Sequence, residues 1–219
     1  MSYGQSPTKI LIVDDHPLLR EGLAMRLSLE PDLQVCGEAA TEEEALAQAE
    51  QTTPELMLVD ISLKNGNGLN LIKQIKSQYP HIKMLVVSSF DESLYAERAL
   101  RAGALGYLNK QESNEKLLDA VRTVLAGQRF VSATIAQRLL GQALGASDQT
   151  KTPLERLSDR ELEIFRLIGE GLSSGAIAER LFLSPHTIDT HRENLKRKLS
   201  IPNAGELTRT AVEWVLENG

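Results

Sequence analysis

The sequence predicts an α/β fold, a five-stranded, doubly wound parallel sheet, followed by an all-α domain of four helices. Two observations predict this. Between residues 9 and 126, short apolar runs alternate with longer amphipathic stretches, the pattern of a parallel sheet with helices on both faces. After Pro153 the hydrophobic pattern is helical throughout. A chain of 219 residues has room for two modest domains of these kinds.

The five strands are predicted from apolar runs, and some runs are apolar at every position, as expected of central strands covered on both faces. Residues 84–87, Met-Leu-Val-Val, are an example. The predicted strands are Lys9–Val13, Gln34–Ala39, Leu56–Asp60, Lys83–Ser88 and Gly106–Leu108.

Helices are predicted between and after these strands, where the spacing of apolar residues is that of an amphipathic helix. Thr41 and Glu44 form a capping box at the start of the second helix. The predicted helices are Pro17–Leu29, Glu42–Gln51, Gly68–Gln78, Leu94–Ala102 and Asn114–Ala126.

The composition changes between the two domains. We assign residues 8–127 to the first domain, 128–153 to a linker and 154–219 to the helical domain. Ser132–Gly145 could form a helix within the linker, and residues 145–153 have the composition of a flexible connection.

Four helices are predicted in the second domain from their start signals. Ser158 with Glu161 opens the first, which should end at Gly169 or Gly171, and Gly175–Leu181 forms the second. Ser184 followed by Pro185 starts a third helix that reaches about Leu199. Asn203 with Glu206 starts a fourth, which ends near Asn218. A tight turn before the third helix predicts a helix-turn-helix module.

The composition, 42% hydrophobic and 25% charged, excludes disordered and membrane classes. Met1 to Thr8 lacks the apolar segment of a secretory signal, and the single cysteine, Cys36, cannot form an intrachain disulfide. We therefore expect a cytoplasmic protein. The net charge of −6 means that a DNA-binding surface would need locally focused positive charge.

Charged and polar residues lie at the carboxyl ends of several predicted strands, where open parallel sheets bind ligands. They are Asp14, Asp15, Asp60, Ser88 and Lys110. Such a set suits metal-assisted phosphoryl transfer, with Asp60 as nucleophile, Mg²⁺ held by the three acids and the backbone carbonyl of Ser62, and Lys110 and Ser88 facing the phosphoryl group. Each residue alone has a plainer explanation, an acid at the start of a solvated loop, a helix cap or a surface lysine. Their joint placement at strand ends favours the phosphoryl site.

These residues, with Tyr107 and the phrases Val-Asp-Asp-His-Pro at 13–17 and Ala-Leu-Arg-Ala-Gly-Ala-Leu-Gly-Tyr-Leu-Asn-Lys at 99–110, resemble the receiver domain of two-component response regulators, a flavodoxin-like fold. The resemblance implies that Asp60 accepts phosphate from a phosphohistidine of a sensor histidine kinase. Ser88 and Tyr107 would form the switch. The loop after Asp60 departs from the family pattern, since it contains no proline between Asp60 and Gly68.

The third helix of the second domain has the features of a DNA-recognition helix. Ile188, Leu195 and Leu199 share one face, and the opposite face is polar with a local charge of +2 over residues 185–199. A solvated face on a bundle helix is the plainer reading, but the preceding helix and tight turn favour entry into a major groove.

The segments 157–164, 169–173 and 187–192 are similar to LuxR-type helix-turn-helix domains, so the whole chain resembles the NarL/FixJ class of response regulators. That resemblance implies base contacts from Asp189, Thr190 and Glu193. Phosphate contacts are expected from Ser184, Thr187, Arg192 and Lys196, and Arg197 lies on the same polar face. It also implies a homodimer on an inverted-repeat operator, because an apolar strip on the last helix could pair two copies.

Two other functions stay open at this point. One is a DNA-binding regulator that does not depend on phosphorylation. The other is a metal-dependent phosphatase, although Ser62 stands where such enzymes need an acid. The response-regulator reading implies no turnover enzyme, only a receiver that catalyses its own phosphorylation and slow dephosphorylation.

Overall fold

The computed structural model describes residues 6–64, 66–144 and 152–218, in two compact units, Met1–Gln137 and Arg138–Gly219. The predicted residues 145–151 of the linker lie outside the described residues. Labels follow chain order: β1 (Thr8–Val13), α1 (Pro17–Ser28), β2 (Leu33–Ala39), α2 (Glu42–Thr52), β3 (Leu56–Val59), β4 (Ser62–Leu63), β5 (Gly66–Asn67), α3 (Gly68–Gln78), β6 (Lys83–Ser88), α4 (Glu92–Ala102), β7 (Gly106–Asn109), α5 (Asn114–Leu125), α6 (Ala133–Ala143), α7 (Asp159–Gly169), α8 (Ser174–Arg180), α9 (Pro185–Leu199) and α10 (Ala204–Asn218).

The first unit is a five-stranded parallel sheet with the order β2-β1-β3-β6-β7. This is the predicted doubly wound topology, and its order reverses at β1, where chemistry is expected in such sheets. Alternate strand residues face opposite sides. Ile10, Leu58 and Val87 pack in one core with Leu27 of α1 and Val121 of α5. The intervening residues are buried on the other face, beside α2, α3 and α4.

Local signals explain most of the helix starts in this unit. Thr41 caps α2 by accepting from the Glu44 amide, and Asp91 caps α4 through the Ser93 amide. Helix α4 therefore begins at Glu92, two residues before the predicted start at Leu94. The predicted strand Leu56–Asp60 ends at Val59, and Asp60 lies immediately beyond it.

A short antiparallel hairpin, β4–β5, was not predicted from the sequence. Ser62 pairs with Asn67, and the Asn67 side chain then caps α3 by accepting from the Leu69 amide at 2.8 Å. A Cβ atom on Gly68 would lie 2.0 Å from the Asp60 carbonyl oxygen, so only glycine allows this close approach. The hairpin and Gly68 thus define the path of the proline-free loop after Asp60.

The second unit contains the four predicted helices, packed around a core that includes Phe165, Ile188 and Trp214. Ser158 and Glu161 form the predicted capping box, and Ser184 caps α9 by accepting from the Thr187 amide. Helices α7 and α10 approach closely at Gly169, where a Cβ atom would lie 2.3 Å from the Ala211 carbonyl oxygen. None of the helices in the described residues is both long and apolar enough to span a bilayer.

Candidate functional site

The predicted phosphoryl site is assembled at the carboxyl edge of the sheet by the strand ladder itself. The Asp14 amide donates to the Ala39 carbonyl at 3.0 Å, and the Asp60 amide donates to the Val13 carbonyl at 2.8 Å. The Lys110 amide donates to the Ser88 carbonyl at 3.0 Å. Each charged residue therefore adds one more hydrogen bond to the parallel pairing, which fixes its backbone at the edge.

Lys110 joins two acids at the centre of this edge. Its Nζ atom lies 2.6 Å from Asp14 Oδ2 and 2.8 Å from Asp60 Oδ2. Lys110 is 6% exposed, and the two acids are less exposed still. The second Asp60 oxygen, Oδ1, accepts from the Ile61 amide at 2.7 Å. Both carboxylate oxygens of Asp60 are thus held in place.

The charges at this edge do not balance. Burial raises the pKa of Asp60, and the nearby Lys110 ammonium only partly opposes that rise. Burial alone would lower the pKa of Lys110, but the Asp60 and Asp14 carboxylates outweigh it and raise that pKa. Lysine therefore stays protonated while the acids remain in excess, which favours binding of a further cation.

Ligand atoms of four residues lie within 4.8 Å of one another, on Asp14, Asp15, His16 and Asp60. Asp15 Oδ1 is buried and accepts no hydrogen bond from the described residues, although His16 Nδ1 lies 2.9 Å away. Three carboxylates with an unused buried oxygen fit a hard divalent cation such as Mg²⁺. Ser62, the predicted carbonyl ligand, begins β4 two residues after Asp60.

Ser88 and Tyr107, the predicted switch residues, are both buried. The Tyr107 hydroxyl donates to the Phe90 carbonyl at 2.8 Å, and the Phe90 amide lies 3.5 Å from Ser88 Oγ. Burial raises the pKa of Tyr107 well above its usual value, so the phenol stays neutral. Burial raises the pKa of both Asp60 and Tyr107, and hydrogen bonding to the Ser88 hydroxyl opposes part of each rise.

The segment that follows α5 is bonded to β7, which carries Tyr107, and to α4, and the sequence did not indicate these bonds. The Tyr107 amide donates to the Phe130 carbonyl at 2.8 Å, and the Phe130 amide donates to the Leu105 carbonyl at 3.0 Å. Glu92 Oε1 accepts from the Ser132 amide at 3.0 Å. Ser132 immediately precedes α6. Through the bonds of Phe130 and Ser132, the segment between α5 and α6 is attached to both β7 and α4.

The predicted DNA-binding residues lie on α9 and at its N-cap. Thr187, Arg192 and Lys196 are half-buried, whereas Ser184, Asp189, Thr190, Glu193 and Arg197 are exposed. Ile188 and Leu195 are buried on the inner face, as predicted, and Leu199 is half-buried. This helix therefore presents a polar face that can enter a groove.

The positive charge on α9 is partly paired within the unit. Lys196 Nζ lies 2.8 Å from Glu193 Oε1, and Lys198 Nζ lies 2.6 Å from Glu161 Oε2 on α7. Glu193 is already counted in the local charge of residues 185–199, so only the pairing of Lys198 with Glu161 lowers the positive charge that is available to DNA. Lys198 instead ties the C-terminal end of α9 to the capping box of α7.

Two family profiles match the chain. The profile described as response regulator receiver domain matches residues 10–122, and the profile of bacterial regulatory proteins, luxR family, matches residues 155–211. The response regulator GacA of Pseudomonas protegens is 36% identical over 204 residues, covering 93% of this chain and 95% of its own. The oxygen regulatory protein NreC of Staphylococcus aureus is 35% identical over 210 residues, covering 94% and 97%.

Solved structures of one protein are similar over almost the whole length. The RcsB response regulator of Salmonella typhimurium has a TM-score of 0.74 and 25% identity, covering 95% of this chain and 98% of its own. RcsB bound to the promoter rprA in the presence of phosphomimetic BeF3- has a TM-score of 0.71 at 25% identity, covering 94% and 99%.

Proposed function

The chain belongs to the response regulators that join a receiver domain to a LuxR-type helix-turn-helix domain, and we propose that it accepts phosphate on Asp60 from a sensor histidine kinase and controls transcription by binding duplex DNA. One observation carries the proposal: Asp60, Asp14 and Lys110 form a buried, hydrogen-bonded cluster with an excess of negative charge. Such a regulator acts in the cytoplasm, where its DNA lies.

In the transfer step, an Asp60 carboxylate oxygen attacks the phosphorus of a phosphohistidine. The new O–P bond forms as the P–N bond breaks, and the electron pair returns to the imidazole nitrogen. Bound Mg²⁺, held by Asp14, Asp15, Asp60 and the Ser62 carbonyl, would offset the charge of the carboxylates and the phosphoryl oxygens. The Lys110 ammonium then pairs with the phosphoryl group rather than with the Asp60 carboxylate. The receiver promotes only this transfer and the slow hydrolysis of the acyl phosphate that forms on Asp60.

Ser88 and Tyr107 respond to the new group. The Ser88 hydroxyl donates to a phosphoryl oxygen, which moves the chain that carries Phe90. The Tyr107 hydroxyl follows, because the Phe90 carbonyl is its acceptor. The change shifts an existing equilibrium between two arrangements of these elements.

In the output domain, Ser184, Thr187, Arg192 and Lys196 bind DNA phosphates, with Arg197 beside them. Asp189, Thr190 and Glu193 face the bases, where a carboxylate can accept from a cytosine amino group. Val212 and Val215 are half-buried on α10 and Leu216 is exposed, so this strip is available to pair two copies. The dimer would match an inverted-repeat operator.

The acceptor is tested with Mg²⁺, a small phosphodonor and mass spectrometry. The native chain should gain one phosphoryl group, Asp60→Asn should gain none, and Asp119→Asn, which removes an exposed acid from α5, should behave as the native chain does. An unmodified native mass, or a modified Asp60→Asn, would overturn the assignment.

The output is tested by selecting duplexes from a random pool with and without the phosphodonor, followed by a salt titration. We expect an enriched sequence, tighter binding after phosphorylation and an affinity that falls steeply with salt. Binding that is blind to sequence and to salt would contradict DNA recognition.

A second function, DNA binding independent of phosphate, is favoured by one observation. Tyr107 is 1% exposed in the unphosphorylated chain, so its ring already points inward. If DNA binding is independent of phosphate, Asp60→Ala should have the same DNA affinity and oligomeric state as the native chain. If it depends on phosphate, the phosphodonor should change both properties in the native chain and neither in Asp60→Ala.

A further inference from the structure

Phe182 combines two unfavourable features in the turn between α8 and α9. Its backbone φ is 53°, in the left-handed region that favours glycine, and its side chain is 88% exposed, the most exposed of the large apolar residues described. A bulky residue in this conformation is an outlier that costs folding free energy. Burial of the ring does not offset that cost.

The backbone at Phe182 is held in this conformation by hydrogen bonds. The Phe182 amide donates to the Glu179 carbonyl at 3.2 Å, and the Leu183 amide donates to the Ala178 carbonyl at 2.9 Å. These bonds form the helix-ending motif that normally places glycine at this position. The Arg160 guanidinium also donates to the Leu181 carbonyl at 3.1 Å, so α7 anchors the turn. The exposure of the ring therefore belongs to an ordered turn.

The position of the turn indicates what the ring contacts. Phe182 stands two residues before Ser184, the N-cap of α9, and Ser184 and Thr187 share a hydrogen bond of 2.8 Å at the same helix end. When the polar face of α9 lies in a major groove, this end lies beside a DNA strand. The apolar surface beside the phosphates of a strand is that of its deoxyribose sugars.

We propose that Phe182 is a DNA-contacting residue whose ring packs against the deoxyribose backbone at the edge of the groove that α9 enters. The contact rests on the proposed DNA-binding function and adds an apolar anchor to it. It contributes affinity without reading sequence, since every nucleotide presents the same sugar. It also explains why a strained aromatic residue occupies a position where glycine folds more easily.

The test compares DNA affinity and folding in the full-length chain. The key variant is Phe182→Asn, because asparagine tolerates the left-handed conformation and removes the ring. We expect a melting temperature no lower than that of the native chain and binding about fivefold to tenfold weaker, as expected for losing part of the burial of one aromatic side chain. Phe182→Tyr, which keeps the ring, should bind as the native chain does.

Two further measurements separate the contact from other causes. The slope of affinity against salt should be unchanged in Phe182→Asn, because no charge has been removed. The loss should be equal on the pool-selected duplex and on a mixed-sequence duplex. Ser200→Gly, which relaxes a second left-handed residue in the same domain, with φ of 57°, should leave affinity unaltered.

Unchanged affinity in Phe182→Asn would overturn the proposal. So would a loss of affinity that depends on the identity of one base pair in the duplex, or a loss accompanied by a changed slope of affinity against salt. If the native chain binds neither duplex, the proposed DNA-binding function itself fails, which is a different result from equal binding by native and variant chains.

Discussion

The Asp60 carboxylate lies in a buried position. Burial raises its pKa, and the nearby negative charge of Asp14 also raises it. The folded-state pKa of Asp60 lies above the unfolded value of 3.8. Its contribution to stability is therefore fully present below that value and is lost as the pH rises through the folded pKa. The proposed phosphate acceptance requires the charged form, so that function and folding would place opposite demands on this side chain.

Asp60→Asn should consequently be more stable than the native chain at neutral pH in the absence of divalent cations, with the difference vanishing in acid. Urea unfolding at a series of pH values measures this. Asp32→Asn is a control of opposite sign, because pairing with Arg122 lowers the pKa of Asp32. That variant should lose stability at neutral pH. A neutral-pH loss in Asp60→Asn would contradict the account.

The Lys110 ammonium contacts both Asp14 and Asp60. Lys110→Met removes the ammonium that two buried carboxylates share, and we expect a loss of about 3 kcal/mol in the free energy of unfolding. Added Mg²⁺ should restore part of it. Lys116→Met, which breaks an exposed pair with Glu112, should cost less than about 1 kcal/mol. Equal losses in the two variants would show that burial of Lys110 with Asp14 and Asp60 does not increase the free energy lost when the lysine is removed.

At the scale of elements, the β4–β5 hairpin takes the place of a rigid proline in the loop after Asp60. Its tightest point is Gly68. Gly68→Ala forces the backbone of Asp60 and Ile61 to move, since the added carbon would lie 2.0 Å and 2.8 Å from their atoms. We expect a loss of about 1–3 kcal/mol and slower phosphorylation at Asp60.

The matched control for Gly68→Ala is Gly22→Ala on α1, where an added carbon meets no atom within 4 Å. Alanine should stabilise that helix by up to about 1 kcal/mol and leave phosphorylation unaltered. Urea unfolding and the rate of mass gain with a phosphodonor measure both variants. If Gly68→Ala matches its control, the close approach does not position Asp60.

Sequence patterns predicted the elements that depend on a period or a cap. Continuous apolar runs located the strands, and Ser158 with Glu161 located α7, because burial and capping act on residues close in sequence. The β4–β5 hairpin was missed because two-residue strands have no period. The bond between Glu92 and Ser132 was missed because it joins residues 40 apart in the chain. The roles of the site residues stay predictions, although their clustering follows directly from the strand order.

For the whole molecule, an acidic chain has to bind a polyanion. The net charge of −6 opposes approach, so the proposed binding depends on local contacts such as those predicted on α9. Arg197→Ala should weaken binding on every sequence and reduce the salt slope by about 1. Arg209→Ala removes the same charge from α10, where Arg209 pairs with Glu206 and Glu213. Equal effects of the two variants in a salt titration would indicate a net-charge effect alone.

The bonds made by Phe130 also bear on solubility. Strand β7 is the last in the sheet order, and an uncovered edge strand invites pairing with strands of other chains. Phe130 occupies part of that edge by bonding to the backbone of Leu105 and Tyr107. The segment that leads out of the receiver therefore also shields it, and a receiver truncated just after α5 should aggregate more readily than one that retains Phe130.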